Sequence, residues 1–362
     1  MIAALLAALL LAPSALAVGD PVASGKLTVQ LSASFKKKLK RGGVSMTPKS
    51  FSIKEGAIDP ISGTGSISLP DIRFKRGSRK HTFKQVTATL GPGGAIAAKG
   101  VTLFRLSGGS PVRDGFGAAV SGLSAKLTRS AAKMLGRKLG VERLPKGAAG
   151  QATVAYQPRE VQVAGGTVTL AAHGPGIAGS VGSKLTAHCI NIASSAGQVG
   201  PLAPATSDGH NPPTFTLPVT GGTISPDGGI GSLSIGGGIS FRNNSNGVCA
   251  GMPQRRIDQT DFLFDVGAKN AKARVVIGGM TSQPMGDQGS VFTSFLDTSG
   301  LVTTANPANR TLTANGADLQ INGGTALVLN QVFPQPWSNF SLAKQFTARD
   351  RLGAVRVSLT TR

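Results

Sequence analysis

The sequence predicts a mainly β chain of two tandem β-sandwich-like domains, each with a short amphipathic helix before its last strand. Three observations carry this. The phrase GAIDPISGTGSISL, Gly56 to Leu69, returns without a gap as GTISPDGGIGSLSI, Gly222 to Ile235, both fitting G-x-I-[DS]-P-x-x-x-x-G-S-[IL]-S-[LI]. The composition, with 50 Gly, 5% aromatic and 15% charged residues, suits short strands joined by many turns better than long helices or a disordered tail. A chain of 362 residues is long for one sandwich and comfortable for two domains. The phrase is therefore read as the mark of a duplication, with domains at 18–160 and 161–362 after a leader at 1–17.

The leader is MIAALLAALLLAPSALA. Its apolar run, Ile2 to Ala12, is too short to span a bilayer, and Ala15-Leu16-Ala17 places small residues where a signal peptidase reads them. Cleavage is expected after Ala17. The run lacks the Lys or Arg that usually precedes it, which leaves the true start codon open. No later stretch approaches the roughly 18 apolar residues of a membrane span, so a secreted or non-covalently surface-held protein is expected.

Strands come next. Phe51 and Ile53 lead into the first copy of the phrase, as Leu217 and Val219 lead into the second, and this alternation is that of a half-buried strand. Each copy is followed by a further short apolar stretch, Ile72 to Phe74 and Ile239 to Phe241, with one extra residue before the second. The Pro and Gly between them fit a hairpin connection. The second domain has the longer insertions, rich in Gly, Pro, Ser and Asn, including the segment from Thr281 to Arg310.

Helices are read from four-residue apolar steps. Leu127, Ala131, Leu135 and Leu139 make one stripe, and Ile321, Thr325, Leu329 and Phe333 repeat it in the second domain. Thr128 and Asn322 stand at the N-cap of each, and each helix leads to a Gly-led strand, from Gly150 and from Gly353. A third, weaker version places Leu31, Phe35 and Leu39 in register near the start.

Cys189 and Cys249 are the only cysteines. An even pair in an exported chain predicts a disulfide, contributing on the order of 4 kcal/mol if unstrained. No C-x-x-C or H-x-x-x-H spacing accompanies them, so a zinc site is not expected.

Charge separates the domains. Residues 1–160 hold 25 Lys and Arg against 7 Asp and Glu, so nearly all of the net +22 belongs to the first domain. The runs FKKKLKR and RFKRGSRK and the 126–146 region carry it. Solvated faces account for these runs structurally, yet the excess predicts attraction to anionic wall polymers or an anionic membrane surface. Export and the lack of interleaved aromatics argue against nucleic acid as a specific partner.

Catalytic motifs are missing. There is no G-x-S-x-G, H-E-x-x-H or G-x-x-x-x-G-K-[ST]. Asp59 becomes Ser225 in the second copy, and His81, His173, His188 and His210 sit at no metal-ligand spacing. The chain is read as non-enzymatic.

The stretch FSIKEGAIDPISGTGSISLPDIRF, with FTLPVTGGTISPDGGIGSLSIGGGISF in the second domain, resembles the signature of the HtaA, or haem-transport-associated, domain of exported actinobacterial proteins. The resemblance implies a β-sandwich and a binding protein at the cell surface, with haem or another flat anionic molecule as ligand. It also implies a Tyr near the domain start as iron ligand, in a W-x(n)-S-F-x-x-Y context, and an assisting His after the phrase. Neither domain has that Trp or Tyr. His81 lies several residues late for the assisting His, His173 stands near the start of the second domain, and Tyr156, the sole tyrosine, aligns with Leu359. These three are the candidate haem-binding residues, and Trp337 and Phe340 are candidates to line an apolar pocket. The alternative is a structural or adhesive envelope protein that binds anionic wall polymers after haem binding was lost.

Overall fold

The computed structural model describes residues 19–142, 144–171, 177–190, 198–210, 213–245, 249–252, 254–278, 291–337 and 340–362. The leader and His173 lie outside them. The chain divides into two compact units, Met1–Arg159 and Glu160–Arg362.

In the first unit the opening strand Asp20–Leu31 runs antiparallel to the last, Gly147–Pro158, with Leu27 opposite Val154. On its other edge it holds Glu55–Ile58, the first half of the repeated phrase, which pairs with the second half, Gly65–Leu69. Val86–Leu90, Ala95–Ala98, Val101–Ser107 and Gly117–Leu127 follow, and the last of these pairs back onto Gly147–Pro158. Eight strands thus close a ring. The chain is mainly β as expected, and its layers form one continuous sheet wrapped on itself, which leaves the ring itself no unpaired edge. Leu27, Ile58, Ile67, Ile96, Leu123 and Val154 belong to the buried core, as expected where an eight-stranded ring is filled by side chains.

The second unit repeats this order. Val161–Ala171 pairs with the last strand, Arg351–Thr361, and with the phrase strand Thr214–Ile224. Gly231–Arg242, Arg256–Asp265, Asn270–Gly278, Val291–Ser299 and Thr311–Ile321 complete a second closed ring.

The phrase is written twice because both rings need the same tight hairpin. Gly56 and Gly222 sit at φ of 137° and 131°. A Cβ would lie 2.2 Å from the Ser66 carbonyl oxygen in one and 2.1 Å from that of Ser232 in the other. The turns between the strands are closed by side chains. Asp59 accepts hydrogen bonds from the Ile61 and Ser62 N–H groups. In the second copy Ser225 accepts from Ile230 N–H and Asp227 from Gly229 N–H. The Asp59-to-Ser225 exchange is therefore a change of turn chemistry. The two copies then part. Pro70 ends the strand at Leu69 and sends Ile72–Arg76 into a small separate sheet with Ser45–Thr47 and Arg79–Phe83. In the second unit the strand runs on through a bulge between Ile235 and Gly238, which is where the extra residue goes.

Three helices begin with a side-chain cap, two of them, Thr128 and Asn322, as expected and the third, Ser32, seen only in the structure. Ser32, Thr128 and Asn322 accept from the backbone N–H three residues on, ahead of Ala33–Arg41, Arg129–Leu139 and Gly323–Val332. Phe35 and Leu39, then Ala131, Leu135 and Leu139, then Thr325 and Leu329 are buried as the four-residue steps predict.

Because the tight approach is to backbone, neither phrase glycine has slack. Gly56→Ala and Gly222→Ala are each expected to destabilise their unit by about 1–3 kcal/mol, read as lower melting temperatures in scanning calorimetry. A variant that melts like the parent would show that the hairpin can open at no cost.

Candidate functional site

Of the three candidate ligands, Tyr156 and His81 lie among the described residues and His173 outside them. Tyr156 lies in the last strand of the first ring and is buried. Its hydroxyl donates to the Ile58 carbonyl across the ring at 3.0 Å. Burial, then nearby Asp20, pushes the phenol well above its usual range. A tyrosine that ligates ferric iron does so as phenolate. Tyr156 is held protonated and enclosed, so it does not fit that role and is a core residue, in keeping with Leu359 at its equivalent.

His81 is different. It sits in Arg79–Phe83, opposite Phe74, so both side chains face the same side of the ribbon, toward the core. Its ring meets Phe83 edge-on at 4.7 Å between centroids. The ring is half-buried. Partial burial, then the Lys138 ammonium, lowers its pKa, so the neutral imidazole prevails at neutral pH. Exposed Arg79, two residues away, shares its side of the ribbon, whereas Lys80 and its partner Lys75 face the other side. Neutral imidazole is the form that binds haem iron, and the cations that accompany it on that side are Arg79 and Lys138.

His188 is wholly buried in the second unit. Its Nδ1 donates to the Phe333 carbonyl, and Gln335 reaches its Nε2 at 3.3 Å while also donating to Ser341 O. Lys344 O lies 3.2 Å from Nε2. Burial dominates and lowers the pKa. The imidazole is a neutral strut between the helix end at Phe333 and the segment around Lys344. His210 is exposed beside Asp208 at 3.1 Å. Cys189 and Cys249 form the expected disulfide. Trp337 is 93% exposed and Phe340 51%, their rings 6.3 Å apart, and neither lines a groove or void formed by the described residues.

Sequence reading overlooked a groove in the first unit. It has a volume of about 930 Å³ and runs between the helix Arg129–Leu139 and the segment returning from it. Arg129, Lys133 and Arg137 line one wall and Lys146 the other, with one carboxylate, Glu142, and Gly140 at the turn, over a floor of Ala132, Gly136, Val141 and Leu144. All four cations are exposed. The helix gains from this row only at Arg137, whose charge suits the last turn. Like charges four residues apart cost about 0.2–0.5 kcal/mol per pair, and Arg129 opposes the macrodipole at an N-terminus with no acidic residue in its first turn. At the other end Arg76 donates to the Leu139 and Gly140 carbonyls, tying the His81 ribbon to the helix. A signal was present in the sequence: three basic residues at four-residue spacing, opposite the apolar stripe. Among the described residues the second unit's interior holds apolar voids of about 30 Å³, lined by Leu217, Ile235, Phe262 and Phe264 among others, and about 10 Å³, the larger about the space of one water.

Among the described residues no three of His, Cys, Asp and Glu gather as a metal site, and no helix is long and apolar enough to cross a membrane. No known family model and no curated protein matches the chain. Among solved structures it is similar to the C-terminal domain of HtaA from Corynebacterium glutamicum (15% identity, TM-score 0.35, 56% of this chain and 99% of that one). It is also similar to the heme binding protein HtaB from that organism (12%, 0.33, 56% and 96%) and to the N-terminal domain of HtaA (14%, 0.30, 54% and 97%).

Two titrations check the buried groups. Tyr156 is the only tyrosine, so phenolate absorbance reports it alone. It is expected to stay un-ionised past pH 10 until the chain unfolds. A phenol raised on folding stabilises fully below its unfolded value of about 10, and that share is lost as pH rises further. Ionisation near 10 in the folded protein would contradict its burial. His188, lowered on folding, stabilises above about 6.5, and its contribution fades as pH falls through its folded value. His188→Gln should flatten the acid limb of stability against pH, and an unchanged limb would place the acid sensitivity elsewhere.

Proposed function

We propose that this chain is an exported, non-enzymatic binding protein whose ligand is haem, taken up by the first unit. The ligand is named from the resemblance of the repeated phrase. The observation that carries the site is His81: of the two candidates among the described residues, it is the one with a neutral, part-exposed imidazole and cations beside it. His81 would supply an axial nitrogen, and Arg79, on the same side of the ribbon, with Lys138 of the helix would meet the propionates. Phe83, edge-on to the imidazole, fixes the ring plane. No tyrosinate takes part, which separates this reading from the ligand set that the resemblance implies.

Haem titration of the mature protein, followed by absorbance, tests this. A saturable Soret band is expected, lost or shifted at least tenfold to weaker binding in His81→Ala and unchanged in Tyr156→Phe. An unsaturable spectrum like that of free haem would overturn the haem reading. Retained binding in His81→Ala with loss in His173→Ala would move the site to the second unit.

A further inference from the structure

We infer that the groove along Arg129–Leu139 is a separate site for a linear phosphodiester polymer of the polyol-phosphate class, of the kind found in cell walls. Its cations are not those of the His81 site, which it adjoins at Gly140, where Arg76 and Arg79 of the ribbon meet the helix. Lys138, the cation that acts on His81, lies about half a turn around the helix from Arg129, and the groove lining contains no His, Tyr, Cys or Met.

The first argument is spacing. Arg129, Lys133 and Arg137 follow one another at four-residue steps, a rise of about 6 Å each, close to the reach of one extended three-carbon phosphodiester repeat. A polymer with one charge per repeat can engage all three at once, and Arg gives phosphate a bidentate partner. A ligand with a single anionic head would use one of them and leave the others repelling.

The second argument is the duplication. In the second unit the equivalent positions are Gly323, Leu327 and Gln331, and the whole helix Gly323–Val332 carries no charge. That helix takes the same place in its ring, capped and buried in the same way. The fold therefore does not need the cations; they are a property of the first unit alone.

The third argument excludes the neighbouring ligand classes. No aromatic side chain lines the groove to stack a base, as single-stranded nucleic acid sites use. Its apolar floor of Ala132, Gly136, Val141 and Leu144 is shallow and open, which suits the short carbon spacers of a polyol and encloses no acyl chain. Among the described residues none of the four cations is held in an ion pair, so all are available.

The test is calorimetric titration of the mature protein with a defined oligo(glycerol phosphate), with oligo-dT and with vesicles of phosphatidylglycerol in phosphatidylcholine. Two variants remove equal charge: Arg129→Gln/Lys133→Gln/Arg137→Gln in the groove, and Lys36→Gln/Lys37→Gln/Lys40→Gln on the exposed face of Ala33–Arg41. The groove variant is expected to bind the oligo(glycerol phosphate) at least tenfold more weakly and with a shallower salt dependence. The helix variant should stay within about threefold, consistent with general screening of distant charge. The groove variant should melt no lower than the parent, since it relieves repulsion. Equal losses in both variants would mean a diffuse field and overturn the site. Tighter binding of oligo-dT or of vesicles, lost in the groove variant, would overturn the ligand class, as would no binding of the oligo(glycerol phosphate) at low salt. Haem titration of the groove variant is expected to match the parent, so failure here and failure at His81 are separable.

Discussion

Each unit depends on the pairing of its first strand with its last. Asp20–Leu31 lies against Gly147–Pro158, and Val161–Ala171 against Arg351–Thr361. Nothing local can hold such a pair together, because the chain between must be ordered before the ladder can form. The repeated phrase is what makes closure possible: its hairpin lies on the free edge of the first strand in both units. In the first unit Tyr156 fastens the arrangement, reaching from the last strand to Ile58 in the hairpin. The tyrosine is thus spent on closure, which is why the sole tyrosine of the chain is not available for chemistry.

The same economy decides the histidines and acids. His188 and Gln335 stitch a helix end to a distant segment, Asp59 and Asp227 close turns, and Lys184 and Asp350 form a pair 2.7 Å apart, both side chains largely buried. Removing either partner of that pair would strand a charge in the interior. Polar groups in this protein mostly complete backbone hydrogen bonding where loops meet the rings. What is left over lies on the surface of the first unit, where the charge is.

Much of this was legible in the sequence. Period-two alternation, the four-residue apolar steps and the caps at Thr128 and Asn322 are local signals, and the structure bears each of them out. Ring closure was not legible, since it depends on which edges meet, and alternation looks the same in a sandwich and in a barrel. The role of Pro70 was half visible: proline ends a strand, but that its partner segment would leave the ring for a small sheet rests on tertiary pairing. The exposure of Trp337 ran against the usual reading of a lone tryptophan, because the segment around it is held by Gln335 and Asn330 through backbone contacts and needs no aromatic anchor. The groove escaped notice because the helix stripe was read for its buried face alone.

Comparing the copies separates what the fold requires from what it merely permits. Gly56 and Gly222 are kept, as are the capped helix and the strand order, and each has a steric or hydrogen-bonding reason. Tyr156 and Leu359, Asp59 and Ser225, Pro70 and the bulge at Gly237 differ, and each exchange has a structural substitute on the other side. The row Arg129, Lys133, Arg137 against Gly323, Leu327, Gln331 differs without any such substitute. Among the described residues no cap or ion pair uses these cations, and their mutual repulsion, with Arg129 at the N-terminus, works against the helix more than Arg137 in the last turn helps it. A feature that costs stability, serves no contact and appears in one copy only is explained by something outside the chain, and its charge and spacing describe what that partner must be.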